Sequence, residues 1–255
     1  MLTVFVTAFL DLGIDHPAVK GPAARLAHFR RLAATGIPLV VFASAVYKAA
    51  IEEICREHAN VTIQRIVELE DTLTYSECIK YKDALPAVRT EAKDTAPFLM
   101  LMNAKTDFVE EVARTTSYAQ VAWIDFNVWH VVRDAAATSK KLQEIAASRL
   151  PTESVYVPGC AGKTAAAAAA VPWDRICWRF CGGFFVGHRE TVAAFAEKAR
   201  EALPRLLAER GGLTWEVNVW AELEANHGWC PTWYKADHND LLFAVPVSKE
   251  SEETV

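Results

Sequence analysis

The chain has 255 residues, enough for one large domain, and its 52% hydrophobic and 23% charged residues are the balance of a globular protein with a sizeable core. A formal net charge of −5, with the 27 Lys and Arg scattered along the chain, argues against a nucleic-acid or membrane-surface partner. No stretch supplies the run of about 18 apolar residues that a membrane helix needs.

The N-terminal "MLTVFVTAFLDLG" lacks the basic start and small-residue cleavage site of a signal peptide, and within it "TVFVTAF" (3–9) predicts a buried strand. "GPAARLAHFRRLAATG" (21–36) carries Pro22 near its start and Gly36 at its end, the punctuation of a helix. "IPLVVFAS" (37–44) predicts a second strand, "VYKAAIEEICREHA" (46–59) an amphipathic helix and "NVTIQRIV" (60–67) a third strand. This β-α-β-α-β alternation predicts an α/β layered fold with parallel strands. Residues 71–95 are polar and irregular, and predict short helices and a loop. "APFLMLMNAKTDFVEEVARTT" (96–116) reads as one long helix, "AQVAWIDF" (119–126) as a strand and "DAAATSKKLQEIAASRL" (134–150) as a helix. "GKTAAAAAAVPWD" (162–174) is low in complexity, part helix and part loop. "RICWRFCGGFFVG" (175–187) predicts strand, Gly-Gly bend and strand. "RETVAAFAEKAREALPRLLAE" (189–209) is a long helix with Pro204 inside it, and "LTWEVNVWAELEANHG" (213–228) a shorter one. "TWYKADHNDLLFAV" (232–245) closes with strand and loop, and residues 249–255 form a charged tail expected to be disordered.

Several familiar motifs fail. "GCAGKT" (159–164) would be a P-loop only with glycine five positions before Gly162, where Val157 stands. No G-x-S-x-G, H-E-x-x-H or G-x-G-x-x-G occurs, so serine hydrolases, zinc proteases and dinucleotide dehydrogenases lack their local signal. Cys177 and Cys181 sit four apart with no second pair or nearby His to complete a zinc site. Reduced thiols in a cytoplasmic protein are the expectation for the six cysteines.

The stretch "VAWIDFNVWH" (121–130) is the most informative. In open α/β sheets ligands bind beyond the carboxyl ends of strands, and Asp125 stands at such an end. A carboxylate in an apolar setting needs a partner. Mg²⁺ or Mn²⁺ is one, and could hold a diphosphate there, with Asn127 adding an amide oxygen. Capping of the following helix by Asp125, with His130 packed beside it, is the other reading, and spacing alone leaves both open.

The ordered set "TVFVTAFLDLG", "PLVVFAS", "FLMLMNAKTDFVEEVA", "WIDF", "GGFFVG" and "LTWEVNVWAELE" resembles the HtrL/YibB (WlaTC-like) family of glycosyltransferases over roughly residues 2–245. The resemblance implies an α/β, GT-A-like (Rossmann-like) nucleotide-sugar-binding sheet flanked by helices, with a C-terminal acceptor-side region. It implies one domain over 1–248, whose residues 1–127 hold the nucleotide and whose residues 128–248 meet the donor sugar and acceptor. The implied reaction moves a sugar from a nucleoside-diphosphate sugar, a UDP-sugar first, to a hydroxyl acceptor on a glycan, with Mn²⁺ or Mg²⁺ on the diphosphate.

Laid on the GT-A pattern, Asp125-Phe126-Asn127 stands for D-x-D, with an amide in place of the second acid. His238 in "ADHND" is similar to the C-terminal histidine that completes the metal set. Gly182 and Gly183 stand where a small-residue turn lies under the donor sugar, and close approach there suits glycine. Glu216 occupies the place of the acid facing the reacting sugar, as base or as stabiliser of positive charge. Thr7, Ala8 and Phe9, at the end of the first strand, would cradle the base, with Asp11 as turn residue or ribose contact.

Lys105 is a candidate for phosphate, but Asn103 and Lys105 are two apart and cannot serve one ligand unless the helix ends or bends there. Of Trp215, Trp220, Trp229 and Trp233, one or two are expected to line an acceptor cleft and the rest to be core. Two alternatives stand beside sugar transfer. A sugar nucleotidyltransferase would need a Gly-rich basic loop after the first strand, which "DLGIDHPAVKG" matches poorly. A non-catalytic nucleotide-sugar-binding protein would explain the D-x-N departure.

Overall fold

A computed structural model of the chain describes residues 1–14, 16–162 and 170–247. Seven strands, β1 (Thr3–Phe9), β2 (Leu39–Ala43), β3 (Val61–Ile66), β4 (Gln120–Ile124), β5 (Val155–Gly159), β6 (Phe184–His188) and β7 (Thr232–Lys235), form one sheet in the order β3-β2-β1-β4-β6-β5-β7. Neighbours are parallel except at β6, which runs antiparallel between β4 and β5. The sheet is therefore mixed, and mostly parallel, as the β-α alternation predicts.

The helices are α1 (Pro22–Ala33), α2 (Lys48–Glu57), α3 (Tyr75–Cys78), α4 (Ala96–Asn103), α5 (Lys105–Thr115), α6 (Ala135–Ala147), α7 (Arg189–Arg210) and α8 (Glu216–Asn226). They cover both faces, so the central strands are buried on both sides and read as continuous apolar runs. Val4, Val6 and Ala8 of β1 point into one core, with α4, α5, α7 and α8; Phe5 and Phe9 point into the other, with α1, α2 and α6. Among the described residues no helix is long and apolar enough to cross a membrane.

Three elements differ from expectation. The helix over 96–116 is broken at Ala104, which ends α4 and caps α5. Asn103 Nδ2 donates to the Leu99 carbonyl, 2.8 Å away, and to the Thr214 carbonyl, 2.9 Å away, so a side chain takes up a helix acceptor at the break. β5, "VYVPG", is a strand that sequence patterning passes over, because Pro158 cannot donate to a ladder. The structure tolerates it where β6 has already left the pairing; the Pro158 carbonyl accepts from Cys181 N instead. Conversely, residues 175–183 make only an isolated bridge, Val88 to Arg175, and the predicted strand there is β6 alone. Part of the alanine-rich tract (163–169) and the tail lie outside the described residues.

Candidate active site

The carboxyl ends of β1, β2 and β4 meet the start of antiparallel β6 along one edge of the sheet. The edge is fixed by a stack of rings: Phe9 lies 4.1 Å from Tyr47 and 4.2 Å from Phe126, which lies 4.3 Å from Phe29. Each such pair adds about 0.5–1.5 kcal/mol beyond its burial. The stack pins the end of β1 to the Asp125-Phe126-Asn127 turn. Asp125 N donates to the Gly183 carbonyl at 3.0 Å, setting the Gly-Gly bend opposite the carboxylate.

Over this edge opens a cavity of about 500 Å³, the size of a small-molecule site. Its floor carries Asp125, Lys105, Glu216, Gly182 and Gly183; Ala8 and Phe9 line it at the end of β1, and Asn127 and His238 at its margins. Thr7 does not reach it, being wholly buried in β1 with its hydroxyl unpartnered among the described residues. Asp11 lines a smaller adjoining recess together with Tyr47.

Lys105 organises the floor. Its ammonium is 1% exposed and lies 2.7 Å from Glu216 Oε1, 3.0 Å from Asp125 Oδ1 and 2.8 Å from the Gly182 carbonyl. Burial alone would favour the neutral amine, but the two carboxylates outweigh it and hold the pKa above the ordinary 10.5. Asp125 Oδ1 also accepts from the Trp123 indole N–H at 2.7 Å, since residues two apart on β4 share a face. Glu216 opens α8 and sits over Gly182, where any Cβ would overlap its carboxylate. Glycine at 182 is thus a requirement of this packing.

Asn127 is bracketed by two imidazoles. Its side-chain oxygen accepts from His28 Nδ1 at 2.6 Å, and His130 Nδ1 lies 2.5 Å from its backbone carbonyl. Burial holds the His130 pKa below its ordinary value, with neighbouring Lys20 pushing the same way. His238 stands away from the Asp125 pair, grouped with Cys160 and Cys181. Asp125, Asn127 and His238 therefore border one cavity while each is engaged by a different set of neighbours. Asp125 does not cap the next turn with its side chain; only its backbone carbonyl accepts, from Val128 N.

Other lining residues escape sequence reasoning. Lys20 and Arg25 follow β1, Lys93 comes from the irregular segment, and Trp123 and Trp178 add indole faces. Of the four C-terminal tryptophans only Trp215 lines the cavity; Trp220 and Trp229 pack in the core around Phe195, and Trp233 lies under Arg179.

No family model and no curated protein matches the sequence. Among solved structures, the chain is similar to mouse xyloside xylosyltransferase 1, with a TM-score of 0.46 and 8% identity over 91% of this chain and 84% of that one. It is similar to galactosyltransferase LgtC in complex with donor and acceptor sugar analogs, at 0.49 and 10% over 92% and 73%. It is also similar to 4-diphosphocytidyl-2C-methyl-D-erythritol synthase from Anaerococcus prevotii, at 0.45 and 7% over 92% and 87%. Scores of this size assign neither a family nor a reaction.

Proposed function

We propose that the chain is a GT-A-like glycosyltransferase, moving a sugar from a nucleoside-diphosphate sugar, a UDP-sugar first, to a hydroxyl acceptor on a glycan. One observation carries this reading: a single cavity at the carboxyl edge of a mostly parallel sheet gathers two carboxylates, a buried lysine and a Gly-Gly bend. In this reading the base and ribose lie toward Phe9, Tyr47 and Asp11, and the donor sugar lies over Gly182 and Gly183. Transfer breaks the bond from the anomeric carbon to the diphosphate and forms one to the acceptor oxygen, whose proton must leave. Glu216, clamped through Oε1 by Lys105, faces the sugar and stabilises positive charge there or takes that proton. Lys20 and Arg25 supply positive charge toward the departing diphosphate.

Mn²⁺ or Mg²⁺ enters this reading through the resemblance, and the side chains do not form a ready cage for it. Asp125 Oδ1 is taken by Lys105 and Trp123 and Asn127 Oδ1 by His28, while His238 Nδ1 lies 3.4 Å from Asp237 Oδ1 and stands with Cys160 and Cys181. A hard dication wants several oxygen ligands at once. The cationic side chains are accordingly given the diphosphate.

A panel of UDP- and GDP-sugars, scored by thermal stabilisation and donor hydrolysis with and without Mn²⁺, tests the proposal. A nucleotide sugar should stabilise the protein, and no response to any donor, with or without Mn²⁺, would refute it. Sugar nucleotidyl transfer is the second reading, favoured by one observation: Lys20 and Arg25 come from the segment after β1 and line the cavity. Pyrophosphate release from a nucleoside triphosphate and a sugar 1-phosphate, without transfer from a nucleotide sugar, would select it.

A further inference from the structure

Three chain segments converge beside the cavity, bringing together residues that their spacing in sequence does not connect. Cys160 follows β5, Cys181 precedes β6, and Asp237 and His238 follow β7. Two backbone hydrogen bonds hold the segments in place: Cys181 N to the Pro158 carbonyl at 2.8 Å, and Ala236 N to the Gly159 carbonyl at 2.9 Å. Gly159 is needed for the approach, because a Cβ there would overlap the Arg179 carbonyl. Arg179 is itself locked by a buried ion pair with Glu224, both bonds 2.7 Å.

The resulting cluster has the spacing of a metal site. The ligand atoms of Cys160, Cys181 and His238 all lie within 4.8 Å of one another, and the two sulfurs are 3.5 Å apart. Two zinc–sulfur bonds of about 2.3 Å at a tetrahedral angle would space them about 3.8 Å apart. Asp237 Oδ1 lies 3.8 Å from Cys160 Sγ and 3.4 Å from His238 Nδ1, beside that group of three. The geometry points to a zinc site built from Cys160, Cys181 and His238, separate from the Lys105 ion-pair system. Thiolates select Zn²⁺ over Mg²⁺ or Mn²⁺. Without metal, burial pushes both thiols above their ordinary range, so they keep their protons; binding releases these two protons to solvent. The ion would tie the ends of β5, β6 and β7 together. It would also fix the wall that carries Trp178, whose ring meets His238 edge-on at 4.6 Å.

The test reads metal, so its result is independent of whether sugar transfer occurs. Full-length protein, produced with added Zn²⁺ and dialysed into metal-free buffer, should retain about one zinc per chain by plasma mass spectrometry. Cys160→Ser and His238→Gln should each lose most of it, with His238 exposed enough that the second variant keeps the fold. Cobalt substitution should give a thiolate-to-metal charge-transfer band that Cys160→Ser removes. Absence of bound zinc in the parent, metal content unchanged in both variants, or recovery of a Cys160–Cys181 disulfide would each overturn the assignment.

Discussion

Replacing Lys105 by Met removes the one cation shared by two carboxylates at the floor of the cavity. At 2.7 and 3.0 Å and an effective dielectric near 20, the gross attractions are about 6 and about 5.5 kcal/mol. Desolvating the ammonium offsets several kcal/mol, and Asp125, with its side chain 37% exposed, is partly screened, so most of the net effect falls on Glu216, at 6%. Loss of one partner of a buried pair then costs about 3–5 kcal/mol. The native ammonium titrates above 10.5, so its contribution is complete at neutral pH and is lost only as pH rises through that alkaline range. Urea denaturation at pH 7 should show Lys105→Met destabilised by this amount. Lys105→Met/Glu216→Gln should be less destabilised than the sum of its single variants by at least about 1.5 kcal/mol. A Lys105→Met protein within about 1 kcal/mol of the parent, or strictly additive variants, would refute the account of Lys105 as the keystone of this floor.

Gly182→Ala should push Glu216 off Lys105 and cut donor turnover by about tenfold or more while circular dichroism stays native, since a small misplacement at the reacting centre is that costly; unchanged turnover would remove Glu216 from the reaction. Lys20→Ala and Arg25→Ala should each raise the donor KM by about tenfold, the worth of one charge-assisted contact, and equal KM values would move the diphosphate elsewhere. Asp107 predicts a pH effect on stability: burial lifts its carboxyl from 3.8 to about 6 even though Thr74 donates to it from backbone and hydroxyl. Its stabilising contribution is complete below pH 3.8 and is lost as pH rises through about 6. That loss amounts to about 3 kcal/mol. Asp107→Asn should flatten that fall in a series of denaturation curves from pH 4 to 7, and a slope identical to the parent's would contradict the burial argument.

The layered architecture was legible because β1, β2 and β4 are buried on both faces and so appear as unbroken apolar runs between helical patterns. Asp125 was legible for the same reason: a carboxylate that ends such a run has to be explained. β5 was not, because Pro158 breaks the pattern that identifies strands, and its role depends on a carbonyl bond to Cys181 that no local signal encodes. The thiol cluster was hidden in the same way. Spacing pairs Cys181 with Cys177, whereas the sheet order places it against Cys160, 21 positions away. Lys20 and Arg25 were hidden by composition, since a scattered set of basic residues shows no stripe until the chain folds.

The α4–α5 break shows why site residues resist reading from periodicity. On a continuous helix, residues 103 and 105 are about 200° apart around the axis and face nearly opposite sides. Ending α4 at Asn103 and starting α5 at Lys105 frees both for one task. Asn103 holds the Thr214 carbonyl, and Lys105 holds the Glu216 carboxylate two residues further on. The first turn of α8 is thereby fastened to the α4–α5 junction at two points, and Lys105 carries the link on to Asp125 at the end of β4. The site carboxylates come from opposite halves of the chain, and Lys105, at the start of α5, joins them.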